Sequence, residues 1–199
     1  GASDLLTERY KLPNKSLVIS NVSRFVPYRR LHDIFEAFSI IKHTVGANTF
    51  IYINAYDQDS KYTSELMEKY QNLIFPEGNI IVDHQFPSND EELADIYRSS
   101  HGFVFPNENQ TWGNAVLEAM ACGVCVMVSD SCGISEIIHN GDNGLVYRCG
   151  DVNAISEFIL KISTQSTELS STGAKAAKYI AGNFSWSNWA DNHIRFFEV

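Results

Sequence analysis

The sequence predicts an α/β domain in which about six parallel strands form one sheet with helices on both faces. Three observations carry that expectation. Short apolar runs alternate with segments of helical period along the chain, the pattern of βαβ units joined by right-handed crossovers. Most of the runs lack polar alternation, as in strands covered on both faces. At 199 residues, 44% hydrophobic and 20% charged, the chain is long enough for one good core.

Residues 1–15 read as a leading linker and short helix that close at Leu12-Pro13-Asn14, with Gly1, Ala2 and Ser3 taken as vector-derived. The first strand is 16–21 (SLVISN), and a loop holding Arg24, Pro27, Arg29 and Arg30 follows it. Leu31, Ile34, Phe35, Phe38 and Ile41 then recur at helical spacing. The second strand is 49–54 (TFIYIN), the second helix 61–73 and the third strand 79–83 (NIIVD). Ser88 with Glu91 forms a capping box for a helix carrying Leu93, Ile96 and Tyr97. Strand four, 102–105, leads into 106–121 (PNENQTWGNAVLEAMA), where a polar loop turns at Trp112-Gly113 into a helix. Strand five is 124–128, a short helix covers 135–139, strand six is 144–147 and an amphipathic helix spans 151–163. Residues 16–165 thus make the domain proper. Residues 166–199 form helices that pack on it, broken at Gly182-Asn183.

Composition removes several classes of function. Lys and Arg number 15 against 24 Asp and Glu, a formal net charge of -9 with no basic run, which argues against nucleic acid as a partner. No stretch approaches the ~18 apolar residues of a membrane span, and no signal peptide is expected. Cys122 and Cys125 form a CxxC, but the first ends a helix and the second lies in an apolar strand. A zinc or redox pair belongs in a loop or at a helix start, so these cysteines, with Cys132 and Cys149, read as small core residues in a reducing cytoplasm. Neither a GxGxxG after strand one nor a GxxxxGK[ST] occurs, so the dinucleotide fingerprint and the P-loop are absent.

The chemistry concentrates around the central helix. From Ala115 to Ala121 it is apolar except at Glu118, which shares one face with Asn114 four residues before. A carboxylate buried without a partner costs several kcal/mol or more. Glu118 is therefore expected to pair inside the protein or to face a ligand cleft. Ligands of open parallel sheets bind at the carboxyl ends of the strands, near the switch in strand order. There Arg24 and Arg29 face the N-terminus of the central helix, whose free N–H groups favour an anion. Taken alone, two arginines there are as well read as a solvated surface pair. Together with the helix end they suit a diphosphate.

Two motifs extend this reading. Arg24 and Arg29 in Ser23-Arg24-Phe25-Val26-Pro27-Tyr28-Arg29-Arg30 match the basic residues of a G-R-x(4)-K-G pattern, with Arg29 in place of the lysine. Trp112, Gly113, Glu118, Ala119, Met120, Ala121 and Gly123 match P-x(3)-E-x-[FW]-G-x(4)-E-A-M-A-x-G. Ser129-Asp130, 133–138 (GISEII) and 141–145 (GDNGL) match as well. On these residues, 17–197 resembles the Rossmann-like, nucleotide-sugar-binding C-terminal domain of GT-B retaining glycosyltransferases of the group 1 family (family 4-like). Two departures stand out. The first of the two family glutamates falls on Gln110, with Glu108 out of register by two, and Cys125 stands where proline is frequent.

The resemblance implies a role for each residue. Arg24 and Arg29 would neutralise the donor diphosphate as the glycosidic bond breaks, with Gln110 near the donor-sugar hydroxyls as the third catalytic candidate. Thr111, Trp112, Gly113 and Asn114 would line the donor site, with Gly113 and Asn114 offering backbone N–H groups. Glu118 would accept hydrogen bonds from the ribose hydroxyls, and the nucleobase would lie near residues 84–87. No cofactor and no metal are expected. The donor would be a UDP- or GDP-linked sugar, transferred as a hexose in bacterial surface polysaccharide synthesis. The glycan or lipid-linked acceptor would bind a separate N-terminal domain, leaving this half inactive alone. The resemblance places the whole protein in the cytoplasm, at most peripheral to the inner face of the membrane. Two rivals remain open: a degenerate binding module, or a metal-dependent GT-A transferase using Asp57 and Asp59 of a DxD.

Overall fold

The computed structural model describes residues 4–184 and residue 188. Six strands form one sheet in the order β3-β2-β1-β4-β5-β6: β1 Leu17–Phe25, β2 Thr49–Asp57, β3 Ile80–Asp83, β4 Gly102–Phe105, β5 Val126–Ser129 and β6 Leu145–Tyr147. Every neighbouring pair is parallel. The helices are α1 Leu5–Arg9, α2 Leu31–Ile41, α3 Ser60–Lys69, α4 Asp90–Arg98, α5 Asn114–Ala121, α6 Val152–Thr164 and α7 Ser166–Asn183. Strand order reverses between β1 and β4, so the switch point lies where β1 and the β4–α5 loop meet.

The pleat sorts the core into two faces. Ile19, Ile51, Ile53, Val104 and Met127 face the side covered by α2 and α6, with Phe35, Phe38, Phe158 and Ile159 among the side chains packed there. On the opposite face Phe103, Phe105, Val126 and Val128 meet Tyr97, Val116, Met120 and Ala176 of α4, α5 and α7. Beside them Val18, Phe50, Tyr52 and Ile81 pack on Leu6, Leu12 and Ile96. Gly102 at the start of β4 leaves room for α6, since a Cβ there would stand 2.2 Å from the tip of the Ile162 side chain and displace it.

Three local expectations are corrected. β1 and β2 run nine residues each and stay paired to Arg24–Tyr56 and Phe25–Asp57, so Arg24 lies on a strand and not in a loop. Backbone pairing, to which polarity is no obstacle, carries the ladder past the apolar run. The cap of α4 is Asn89, whose side chain accepts from Glu92 N–H at 2.9 Å, while Glu92 Oε2 accepts from Ser88 N–H at 2.7 Å. The reciprocal box is thus one residue later than Ser88 and Glu91. The segment 133–138 forms a 3-10 turn, Gly133–Ile137, and not an α-helix. α7 ends at Asn183, where the break at Gly182-Asn183 was expected. Trp186, Trp189 and the rest of the final apolar stretch lie outside the described residues.

Candidate functional site

The site begins with the extension of β1. Its ladder with β2 fixes Arg24 opposite Tyr56 at the carboxyl edge of the sheet, with the side chain exposed and Nη1 3.5 Å from Gln58 Oε1. A 3-10 turn, Pro27–Arg29, brings Arg29 back over the same edge. Arg30 then takes φ 50° and ψ 35°, a left-handed conformation, before α2 starts.

The half-buried Arg29 is held by neutral groups. Its Nη1 donates to Gln110 Oε1. Asn107 accepts from Nη1 at 2.6 Å and donates to the Arg29 carbonyl at 3.2 Å, in the amide orientation that satisfies both groups. The guanidinium also lies 5.3 Å from the Tyr28 ring centroid. Burial, above all, lowers the pKa of Arg29; Tyr28 opposes that shift and the charge of Arg24 adds to it. The group remains a cation throughout the working range. Among the described residues no carboxylate forms an ion pair with Arg24 or Arg29. The neighbouring Arg30 is different, being paired with both Asp33 and Glu108.

The facing wall is the 106–113 loop. Glu108 N–H donates to the Tyr28 carbonyl at 2.8 Å, and Asn109 N–H to Ser131 Oγ at 3.0 Å. Cys132 Sγ–H donates to the Asn107 carbonyl, and Gly133 N–H to the Gln110 carbonyl at 2.8 Å. A Cβ on Gly133 would sit 2.0 Å from the Thr111 carbonyl oxygen, so only glycine permits this approach. The loop ends at Gly113, the N-cap of α5, where no side chain caps the helix. The first N–H groups of α5 therefore lack a side-chain acceptor, and Gly113, Asn114 and Ala115 line a cleft.

Arg24, Arg29, Gln110, Trp112, Gly113 and Asn114 line one open cleft of about 280 Å³, together with Val22, Ser23, Phe105 and Ala115. Thr111 and Glu118 do not line it. Glu118 lies one turn beyond Asn114 on the same exposed face of α5 and accepts from Tyr97 Oη at 2.8 Å. Of the two expected alternatives for that carboxylate the first holds, an internal partner in Tyr97; the side chain is also exposed, but outside the lining of the cleft. The helix itself is not buried all round, since Asn114, Glu118 and Ala121 are exposed.

Asp57 and Asp59 serve the start of α3. Asp57 Oδ1 accepts from Thr63 Oγ1 at 2.7 Å, and Asp59 Oδ1 accepts from Tyr62 N–H at 3.1 Å as the N-cap. No group of three or more His, Cys, Asp or Glu able to hold a metal occurs among the described residues. At 84–87, His84 lies against Phe25 at 5.3 Å between centroids, and the exposed Phe86 ring lies 5.3 Å from Tyr56. The four cysteines are free, and burial pushes the Cys125 thiol up to about 12. A larger cleft of about 680 Å³ opens at the amino ends of the strands, around Lys15, His101 and Gly123, away from both arginines. Sequence reasoning missed Ser131, and held Asn107 and Gly133 only as parts of motifs, not as braces of the loop. Their signal was present only as small polar residues and a glycine on loops that pair in space.

A family model described as glycosyl transferases group 1 matches residues 3–179. The chain belongs to that family. Its sequence is 27% identical over 181 residues to the capsular polysaccharide biosynthesis glycosyltransferase CapM of Staphylococcus aureus, covering 90% of this chain and 46% of that protein. It is 34% identical over 110 residues to the O-antigen chain mannosyltransferase B of Escherichia coli, covering 55% and 28% respectively. The chain thus spans less than half the length of these curated relatives. The fold is that of the C-terminal domain of the group 1 glycosyl transferase LpcC from Francisella tularensis, with TM-score 0.79, 17% identity and coverage of 92% and 93%. HepE of Anabaena, solved in complex with UDP-glucose, matches with TM-score 0.80 at 13% identity, over 98% of this chain and 52% of that one. No helix among the described residues is long and apolar enough to cross a membrane.

Proposed function

We propose that this group 1 domain binds the nucleoside diphosphate sugar donor of a retaining glycosyltransferase. Within the whole protein it presents that donor for hexose transfer to a glycan or lipid-linked acceptor, in bacterial surface polysaccharide synthesis at the cytoplasmic side. The observation that carries the reading is the charge balance of the cleft. Two arginines without carboxylate partners face an uncapped helix N-terminus across it. Three sources of positive potential converging on one space suit a diphosphate.

When the glycosidic bond breaks, its electron pair leaves with the diphosphate oxygen. Arg24, Arg29 and the α5 N–H groups stabilise that growing charge in place, so no metal is needed for it. Gln110, held by Arg29, is placed to offer its amide to donor-sugar hydroxyls. Glu118 keeps Oε1 available for ribose while Oε2 accepts from Tyr97. Tyr56, across the β1–β2 ladder from Arg24, and the Phe86 ring tilted against it offer a face for the base. The acceptor and its activating group come from outside this chain.

A second reading, a binding module without turnover, is favoured by the amide at position 110 where the family has an acid. Calorimetry of the domain against UDP, GDP, UDP-glucose and GDP-mannose, with and without EDTA, tests the first reading. Binding that survives EDTA supports it. Binding abolished by EDTA, or absence of binding to all four, overturns it. Transfer by the full-length protein separates the two readings.

A further inference from the structure

Arg30 occupies the place of the glycine that closes the G-R-x(4)-K-G pattern, and it keeps the left-handed backbone a glycine would take, at φ 50°. A side chain in that conformation is strained, so the surrounding contacts must hold it there. They do so with charge. Arg30 grips Asp33 with two parallel bonds, Nε to Oδ2 at 2.8 Å and Nη2 to Oδ1 at 3.0 Å. Its remaining Nη1 reaches Glu108 Oε2 at 3.3 Å on the facing loop. The Asp33 side chain is only 2% exposed, and His32 Nε2 lies 3.2 Å from its Oδ1. Gly150 leaves room for the guanidinium, since a Cβ there would come within 3.1 Å of Arg30 Nη2.

The contrast with Arg29 gives these contacts a meaning. Two adjacent arginines face a loop that carries one acid, Glu108, and three amides, Asn107, Asn109 and Gln110. The acid goes to Arg30, Asn107 and Gln110 go to Arg29, and Asn109 turns to Ser131. Glu108 is close enough to choose otherwise, because its own N–H is bonded to the carbonyl of Tyr28, the residue before Arg29. We propose that Arg30 is a positioning residue that sequesters Glu108, keeping the Arg29 guanidinium free of carboxylate for an incoming diphosphate. The anion site rests on the donor-binding reading; the sorting of the acid between the two arginines does not.

Removing Arg30 alone would strand a buried Asp33 carboxylate, so the test uses Arg30→Gly with Asp33→Asn, and then adds Glu108→Gln. Glycine keeps the backbone at position 30 unstrained. In the double variant Glu108 turns to Arg29, and UDP affinity of the domain falls about tenfold, the loss of one charge-assisted bond. Adding Glu108→Gln restores UDP affinity to near the wild-type value. A purely structural brace predicts the opposite order, with the triple variant as weak as the double one or weaker. The ion-pair exchange is read separately from the guanidinium NMR signals of Arg29, which should show a new carboxylate contact in the double variant only. If UDP and GDP bind no variant, the wild type included, the donor-binding reading fails while the NMR comparison still decides the sorting. An unchanged Arg29 spectrum in the double variant overturns it.

Discussion

Arg29 donates from Nη1 to Oε1 of Gln110, so an amide stands where a carboxylate would cancel the guanidinium charge. The two side chains come from different loops, one after β1 and one after β4, and meet across the switch point. Gln110→Ala should leave UDP affinity within about twofold and weaken a sugar-bearing donor by about 0.5–1.5 kcal/mol, the worth of a neutral hydrogen bond. Titrating both ligands against both proteins checks this. Equal losses for the two ligands would remove Gln110 from the sugar.

Arg29→Lys retains the charge but not the planar guanidinium, whose Nη1 is held between Asn107 and Gln110. Its expected effect is a loss of about 1.5–3 kcal/mol in UDP binding, since bonds to charged groups are the strong kind. Arg24→Lys should matter less, because Arg24 is exposed and touches only Gln58 at 3.5 Å. Calorimetry of the two variants side by side would expose an error if Arg24→Lys proved the more damaging.

Glu118→Ala should weaken UDP by about 1.5–3 kcal/mol, because hydrogen bonds from ribose to a carboxylate are charge-assisted. The loss should be as large for UDP-glucose and absent for inorganic pyrophosphate, which has no ribose. Tyr97→Phe removes only the donor to Oε2 and should cost about 1 kcal/mol of folding stability. A chemical denaturation series measures the second value.

Gly133→Ala places a Cβ against the Thr111 carbonyl and must displace the 110–112 segment. The expected result is about 1–3 kcal/mol of destabilisation together with loss of donor binding. A variant that keeps full affinity would show that the loop clamp is dispensable.

Acid sensitivity has one identifiable source in Glu92. Its carboxylate accepts from the Ser88 hydroxyl and N–H and from Arg9, and these contacts, Ser88 first, hold its pKa down to about 2. A depressed folded-state pKa stabilises the protein above the usual glutamate range. That contribution falls away as the pH drops from about 4.5 towards 2. Glu92→Gln should therefore be less stable than wild type at neutral pH, with the gap closing through that window. Denaturant midpoints at several pH values report it, and a constant gap would point to lost packing in place of lost charge.

The alternation of strands and helices was legible in the sequence because each apolar run is short and covered on both sides. The carboxyl-edge site followed from the same pattern, since the arginines and the helix start must gather there in a parallel sheet. The end of β1 was not legible. Ser23 and Arg24 are polar, and only pairing with Ala55 and Tyr56 makes them strand. The brace from Ser131, Cys132 and Gly133 to the 106–113 loop was equally hidden, because it joins positions about twenty residues apart and takes hold of the loop only by backbone groups, which carry no side-chain signature. The fate of Glu108 turned on which arginine it met, which residue types alone do not tell.

The nine-residue ladder between β1 and β2 also has a thermodynamic consequence. Arg24 rides on a rung of that ladder, and the opposite wall is stitched to the 131–133 segment. An arriving anion would thus meet a backbone already in its final shape, with only a few side-chain torsions left to settle. Its binding should show a small heat-capacity change and little entropic penalty, unlike a loop that folds around its ligand. The strands and loops that carry the site would then keep their places as the ligand settles, and any motion that binding demands would fall to the side chains of the cleft.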